Sequence, residues 1–367
     1  MKRRSLIFLL SVVPVFAFLL PTGAGASPGD LDPGFGLRGS YYPRLGNSSS
    51  QIATDSAVQS DGRIVMVGRT SSSGAGIVAR FLPNGKLDES IGTGGHLLFD
   101  DKNFDSVAVD GSDRIVIAGH AGDRGLVTRL LADGSPDPGF GIGGTTATRF
   151  DLSYDAPDQT PPENPRLNAV ASLEDGSIFA AGTGRGCADY CEFMLLLRLD
   201  AGGEPIKVNG QVDGTDTKDS QRYSALDLLP DGHLVSVERY EDSDGYTSSD
   251  YTTVRYFEPP AADGKVRLAW RRTFATGANS PGGGGRVTPA GDGGFYLASG
   301  TSIFKGTPAG PDEDFGRNGL AGFSRATFHV GSRSDDILAG DLAVDADGKL
   351  LVAGLYARST RYGRLKS

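Results

Sequence analysis

Between Asp61 and Gly354 the chain repeats one phrase six times. Three copies are close to one another: SAVQSDGRIVMVG (56–68), VAVDGSDRIVIAG (107–119) and LAVDADGKLLVAG (342–354). Three have diverged: AVASLEDGSIFAAG (169–182), ALDLLPDGHLVSVE (225–238) and VTPAGDGGFYLASG (287–300). The turn positions Gly62, Asp113, Gly176, Gly232, Gly293 and Gly348 lie 51, 63, 56, 61 and 55 residues apart. A fixed period of this length marks an array of similar supersecondary units, each burying its faces against its neighbours.

Every period has the same internal order. An apolar strand ends in a DG turn, and a second strand closes on AG or VG. A variable stretch leads to a third strand, such as IVARFLPNG (77–85) or LVTRLLADG (126–134). A turn such as KLDESIGTGG (86–95) or SPDPGFGIGG (135–144) then enters a fourth. RIVMVG, RIVIAG and KLLVAG are near-continuous apolar runs, the pattern of buried strands. Fifty-four glycines and 20 prolines count against helices. Four antiparallel strands per period make one blade of a β-propeller.

The ends complement each other. DLDPGFG (30–36) reads as the turn before a fourth strand with no blade in front of it, and YGRLKS (362–367) as a third strand with no turn behind it. The segment from Ser27 through Gly62 and the segment after Gly348 together make 55 residues, one repeat. The expectation is an all-β, six-bladed propeller of four-stranded antiparallel blades, with the N- and C-terminal strands sharing the closing blade. Such a ring leaves no loose sheet edge. Arg364 is expected near Asp32, as Arg80 is near Asp88.

MKRR, then the apolar run 6–20, then Ala24-Gly25-Ala26, is the pattern of a secretory signal peptide. Residues 1–26 are therefore expected to be removed, leaving 27–367 as a single propeller domain, secreted or held at the cell surface, with no transmembrane segment and monomeric. The full chain carries a formal net charge of −9, which becomes −12 without the three basic residues of the leader. That argues against nucleic acid, which selects a basic face. The two cysteines, Cys187 and Cys191, are expected to form a local disulfide in an exported protein.

LDPGFG, SPDPGFGIGG, PNGKLDESIGTGG and the recurring DGRIVMVG-like phrase resemble the delta-60 repeats of bacterial exported proteins. The resemblance extends over nearly all of residues 30–367, and is weakest around 200–220 and 255–275, where EPIKVNG and ADGKVRLAW replace the LDPxFG turn. It implies a propeller-like fold and supplies no catalytic residues.

Gly34–Gly39 and Gly139–Gly144 fit GxGxxG, but each falls in the turn into a fourth strand, where a dinucleotide site would need a following helix. The four histidines, His96, His120, His233 and His329, fall in different repeats. A basic residue recurs on the third strand: Arg80, Arg129, Arg198, Arg255, Lys305 and Arg364. Asp88 and Asp137 each follow their arginine by eight residues, and Asp312 follows Lys305 by seven. Arg–carboxylate pairs bracketing the turn are the expected role.

Loops two–three and four–one share one face of a blade, and here they vary strongly. They hold the Cys loop (183–192), the acidic, tyrosine-rich EDSDGYTSSDYT (241–252), a Pro-rich insertion (153–165) and SPGGGG (280–285). Function concentrates on variable loops over a rigid scaffold. Tyr190, Tyr240, Tyr246 and Tyr251 are the candidate contacts, suited to polysaccharide or protein. Asp213, Asp216 and Asp219 form one acidic cluster; Glu241, Asp242, Asp244 and Asp250 form another. Asp242, Asp244 and Asp250 are weak candidates for Ca²⁺, although neither cluster follows the Asp-x-Asp-x-Asp-Gly spacing. No cofactor is otherwise expected. The sequence points to an exported binding module without catalytic residues; a metal-dependent hydrolase or lactonase of six-bladed type is the alternative.

Overall fold

The computed structural model describes residues 34–37, 40–41, 45, 51–70, 74–148, 163–185, 192–206, 221–229, 233–243, 248–259, 267–275, 287–290, 292–299, 302–316, 319–322, 336–344 and 350–357. Among them every regular element is a strand. Sheet one contains β1 (Gln51–Val58), β2 (Ile64–Thr70), β3 (Gly76–Phe81) and β4 (His96–Phe99), in that order. Sheet two contains β5 (Asn103–Val109), β6 (Ile115–Ala121), β7 (Arg124–Leu130) and β8 (Thr145–Thr148). Sheet three contains β9 (Glu163–Ser172), β10 (Ile178–Arg185), β11 (Glu192–Leu199) and the short β12 (Pro205–Ile206). Sheet four contains β13 (Gln221–Leu228), β14 (Leu234–Ser243), β15 (Ser248–Phe257) and β16 (Leu268–Ala275). Sheet five contains β17 (Val287–Pro289), β18 (Phe295–Ser299), β19 (Ser302–Thr307), β20 (Gly310–Pro311) and β21 (Leu320–Gly322). β22 (Asp336–Val344) and β23 (Leu350–Ala357) form a sixth, two-stranded sheet. All pairings are antiparallel, and the first strands of successive sheets lie beside one another.

The core is divided among the sheet interfaces. Val67 and Val78 meet Phe104 and Ile117 between sheets one and two, and Val116 and Phe140 meet Leu167 and Ile178 between two and three. Ala169 and Phe179 meet Leu234 and Phe257 between three and four. Val254 and Tyr256 meet Phe295 and Leu297 between four and five, and Ala298 and Ile303 meet Leu342 between five and six. Sheets two to five thus each bury both faces, which is why their central strands are apolar without alternation.

The small residue closing each second strand has a backbone cause. The first strand bulges at one equivalent position in five sheets: between Ala53 and Asp55, Phe104 and Ser106, Leu167 and Ala169, Tyr223 and Ala225, and Ala339 and Asp341. Opposite the bulge stand Gly68, Gly119, Gly182, Glu238 and Gly354. A β-carbon on Gly119 would lie 1.9 Å from the Asn103 carbonyl oxygen, and one on Gly182 would lie 1.7 Å from that of Arg166. At Gly68, Gly119 and Gly182 the bulge brings the first strand too close for a side chain, whereas sheet four carries Glu238 at the equivalent position.

Candidate ligand-binding face

Two ends of the sheets differ in kind. At one end the turns are locked by side-chain oxygens. Asp61, Asn84, Asp133, Asp175, Asp200 and Asp292 each accept a hydrogen bond from the backbone amide two residues on, at 2.8–3.1 Å. These Asx turns fix a uniform, rigid face.

The third-strand cations tie that face together. Arg80 Nε donates to Asp88 Oδ2 at 2.8 Å, and both side chains are buried. Arg80 also donates to Ser90 Oγ at 3.0 Å and to the Ala132 carbonyl of the next sheet. Asp88 further accepts from Arg63 Nε at 2.9 Å. Burial opposes its charge, but the Ser90 donors and the Arg80 guanidinium outweigh it and hold its pKa below the ordinary value. Arg129 repeats the arrangement at 2.7 Å from Asp137, with its guanidinium 4.5 Å over Phe140. Burial again opposes Asp137, and the Gly139 amide and Arg129 hold its pKa down. Arg198 lies over Phe179 at 5.3 Å. Lys305 sits between Asp292 at 2.6 Å and Asp312 at 2.8 Å, which raise its pKa. Arg364 and Asp32 lie outside the described residues.

Arg255 departs from the expected row. Arg80, Arg129 and Arg198 pair with Val65, Val116 and Phe179, each three residues before the bulge-facing glycine, and Lys305 pairs with Tyr296. In sheet four that row is Val235 opposite Tyr256, whereas Arg255 stands opposite Ser236. One step along a strand reverses the face. Tyr256 therefore occupies the row and stacks on Trp270, with centroids 5.3 Å apart. Arg255 turns the other way and meets Glu238 at 2.8 Å, both buried.

At the opposite end, the stretch 241–252, expected as a loop, is mostly strand. β14 and β15 pair in unbroken register out to Ser243 opposite Ser248. Tyr240 stands opposite Tyr251, Glu241 opposite Asp250, and Asp242 opposite Ser249. Asp242 and Asp250 thus lie on paired strands. Tyr251 is half-buried. Tyr190, Tyr246, Asp244, Cys187, Cys191, His329 and the 213–219 cluster lie outside the described residues.

Sequence reasoning missed the polar row at the bulges. Asp105, at the bulge of sheet two, has His120 Nδ1 at 3.3 Å and Arg69 of sheet one at 3.7 Å. Thr54, at the bulge of sheet one, donates to the Phe104 carbonyl at 3.0 Å. The readable signal was the second-strand glycine, which marks where the first strand bulges. His96 lies beside the Gly94 carbonyl and His233 stacks on Tyr256. Both GxGxxG segments are turns: Gly36 and Leu37 bridge to Ser40, and Ile142 to Thr145. Among the described residues, no group of three or more His, Cys, Asp or Glu is placed to hold a metal, and no helix is long and apolar enough to cross a membrane.

Residues 59–90 and 111–140 match the family described as a domain of unknown function (DUF5122) beta-propeller. With the sheets above, this makes the chain an all-β protein of β-propeller repeats. No curated protein matches it. Among solved structures it is similar to an alpha-L-arabinanase of Penicillium chrysogenum complexed with arabinobiose, at 12% identity over 83% of this chain and 93% of that one, with a TM-score of 0.46. It is similar to the GH93 alpha-L-arabinofuranosidase of Fusarium graminearum at 11% identity, covering 83% and 92%, with a TM-score of 0.43. Prolyl oligopeptidase B of Galerina marginata shows 11% identity over 84% of this chain and 41% of that one, with a TM-score of 0.41.

Proposed function

We propose that the chain is an exported, monomeric, closed six-bladed propeller that binds a polysaccharide or protein at the cell surface through its variable face, without catalysing a reaction. The observation that carries this reading is the asymmetry between the two faces. The turns of one are uniform and capped by Asx hydrogen bonds. On the other, β14 and β15 run to ten residues each, against seven in β2 and six in β3, and carry Tyr240 and Tyr251 in register. Residues 1–26 direct export and are then removed.

Closure is supported by how the N-terminal segment packs. Phe35 fills the space a β-carbon on Gly85 would occupy, at 2.8 Å; Ile91 does so for Gly134 and Phe140 for Gly203. Gly36 N donates to the Asn84 carbonyl as Gly141 N donates to that of Gly202. The N-terminal turn thus meets sheet one as the sheet-two turn meets sheet three. Leu45 continues over Ile77, Ala79 and Phe81. Val58 and Ile52 of β1 remain exposed, beside the place that the inner strands of a closing blade would fill.

The test is a binding screen against cell-wall polysaccharides and exported proteins, with variants on each face. Binding that weakens only for variable-face variants is the expected result. A ligand whose binding survives every variable-face change, or depends on the Asx-turn face, overturns the reading.

A further inference from the structure

Five Asx turns of the rigid face share one form, an acceptor side chain followed by glycine: Asp61-Gly62, Asn84-Gly85, Asp133-Gly134, Asp175-Gly176 and Asp292-Gly293. Asn84 alone among these five acceptors is an amide. An amide carbon before glycine is open to attack by the glycine nitrogen, because no β-carbon crowds that nitrogen. A carboxylate resists the same attack. Hydrogen bonds from Ser135, Ser177 and Lys305 hold the pKa values of Asp133, Asp175 and Asp292 below the ordinary value and so keep them ionised. The fold holds Asn84 away from this chemistry. Its Oδ1 accepts from Lys86 N at 3.1 Å, while Gly85 N donates backward to the Leu82 carbonyl at 2.8 Å. Gly36 N of the N-terminal turn donates to the Asn84 carbonyl at 2.6 Å. Phe35 lies 2.8 Å from where a β-carbon on Gly85 would stand. Asn84 is exposed to water, whereas Gly85 is buried.

We propose that Asn84 is a deamidation site latched by the N-terminal turn, and that its reaction makes a transient lifting of that turn permanent. The inference needs only the contact of Phe35 and Gly36 with sheet one, and stands whether or not C-terminal strands complete the ring. When the turn lifts, Gly85 loses its cover and its nitrogen can leave Leu82. That nitrogen gives its proton to water and bonds to Asn84 Cγ. The bond from Cγ to the side-chain nitrogen breaks, and the nitrogen departs with a proton as ammonia. Water then opens the resulting succinimide, with nothing oxidised or reduced. Cleavage of the new Cγ–N bond leaves aspartate, the residue of the other four turns, and the Asx acceptor is kept. Cleavage of the original backbone C–N bond leaves isoaspartate, whose main chain runs through the β-carbon and is one methylene longer. Gly85 and the residue-84 carbonyl are then out of register with Phe35 and Gly36, so the turn cannot reseat.

The experiment is ageing of the full chain in warm, mildly alkaline buffer, followed by trypsin and mass spectrometry. Trypsin releases residues 81–86 as FLPNGK, and the synthetic peptide of that sequence sets the unprotected rate. Asn84 in the parent chain converts far more slowly than in the peptide. Phe35→Ala speeds it by about tenfold or more, since a protected group reacts in proportion to the population of its open form. Phe35→Leu serves where Phe35→Ala does not fold. Asn209-Gly210 and Asn318-Gly319, whose asparagines lie outside the described residues, are read in the same digests and keep their parental rates. Val254→Ala, which loosens the interface between sheets four and five, leaves Asn84 at the parental rate. Asn84→Asp melts like the parent, whereas the aged fraction carrying isoaspartate, separated by ion exchange, melts lower. Conversion of parental Asn84 at the peptide's rate, or a parental rate in the folded Phe35 variant, overturns the inference. So does equal acceleration by Val254→Ala, which would make global unfolding the gate, or an isoaspartate fraction that melts like the parent.

Discussion

Arg80 and Asp88 show how a residue pair read from spacing acquires a larger role in space. An eight-residue interval suggested a bracket on one turn; the guanidinium also reaches the Ala132 carbonyl of the next sheet. Side-chain exposures of 4% and 6% make this a buried pair. Removing one partner of such a pair costs about 3–5 kcal/mol, because the other charge is left in the interior. Asp88→Ala is expected to lose that much in denaturant unfolding; a loss below about 1 kcal/mol would place the pair among solvent-screened ones. The pH dependence has a definite sign. The folded pKa values of Asp88 and Asp137 lie below the ordinary value, so on acidification the unfolded chain takes up protons first. The stabilisation is fully present above about pH 5 and is lost as pH falls below about 4. Thermal melts should show that decline, and Asp88→Asn should flatten it. Glycine provides the second residue-scale test. Gly119→Ala drives a β-carbon into the Asn103 carbonyl and should cost about 1–3 kcal/mol or more. Gly111→Ala, with nothing within 4 Å, should change stability by no more than about 0.5 kcal/mol. Equal effects at the two positions would remove the bulge as the reason for the conserved phrase ending within this chain.

Strands and turns were legible because Asp-Gly turns and apolar runs are local signals, and the sheets follow the repeat from Gln51 to Ala357. What was not legible depends on pairing. Arg255 was aligned with Arg80 by residue type, yet its register is one residue off, and a single step reverses a side chain. The aromatic partners Trp270 and Phe295, which take the face in sheet four, belong to other strands and leave no mark near Arg255. The stretch 241–252 looked like a loop because it is acidic and polar. Its strands persist because β14 and β15 pair residue for residue out to Ser243, and backbone pairing does not require apolar side chains. The element-scale prediction follows from the stacked cluster. Tyr256→Ala removes a fully buried ring packed against both Trp270 and Phe295 and should cost about 3–5 kcal/mol, as large aromatic truncations do. The Trp270 fluorescence should change with it. Tyr256→Arg would restore the residue type of the other sheets, but without the turn acid, so it should be no more stable than Tyr256→Ala. A stable Tyr256→Arg variant would show that the row selects a cation wherever it lies.

At the scale of the whole molecule, the interfaces obey a translational rule that can be carried around to the closing seam. Asp55, just past the bulge of β1, accepts from Ser106 Oγ and Val107 N of the next sheet, both at 2.9 Å. Asp341 holds the same place in β22, just past its own bulge. If the last sheet meets the first as the first meets the second, residue 341 falls beside Asp55 and Ser56. The prediction is a cross-link: Asp341→Cys with Ser56→Cys, in a chain whose Cys187 and Cys191 are replaced by Ser, should oxidise readily and within one molecule. The oxidised chain should migrate faster on a non-reducing gel and melt higher, since a bridge closing a loop of this length removes about 5–6 kcal/mol of unfolded-state entropy. Ser56→Cys paired with a cysteine at Thr288, whose hydroxyl donates to the Leu342 carbonyl one sheet away from the seam, serves as the mismatched control and should not cross-link. Deleting residues 27–45 should uncover Ile77, Ala79 and Phe81 and lower the melting temperature or cause aggregation. Cross-linking at 56 and 341 that fails in the folded monomer, together with a deletion that melts like the parent, would leave the sheets as an open array.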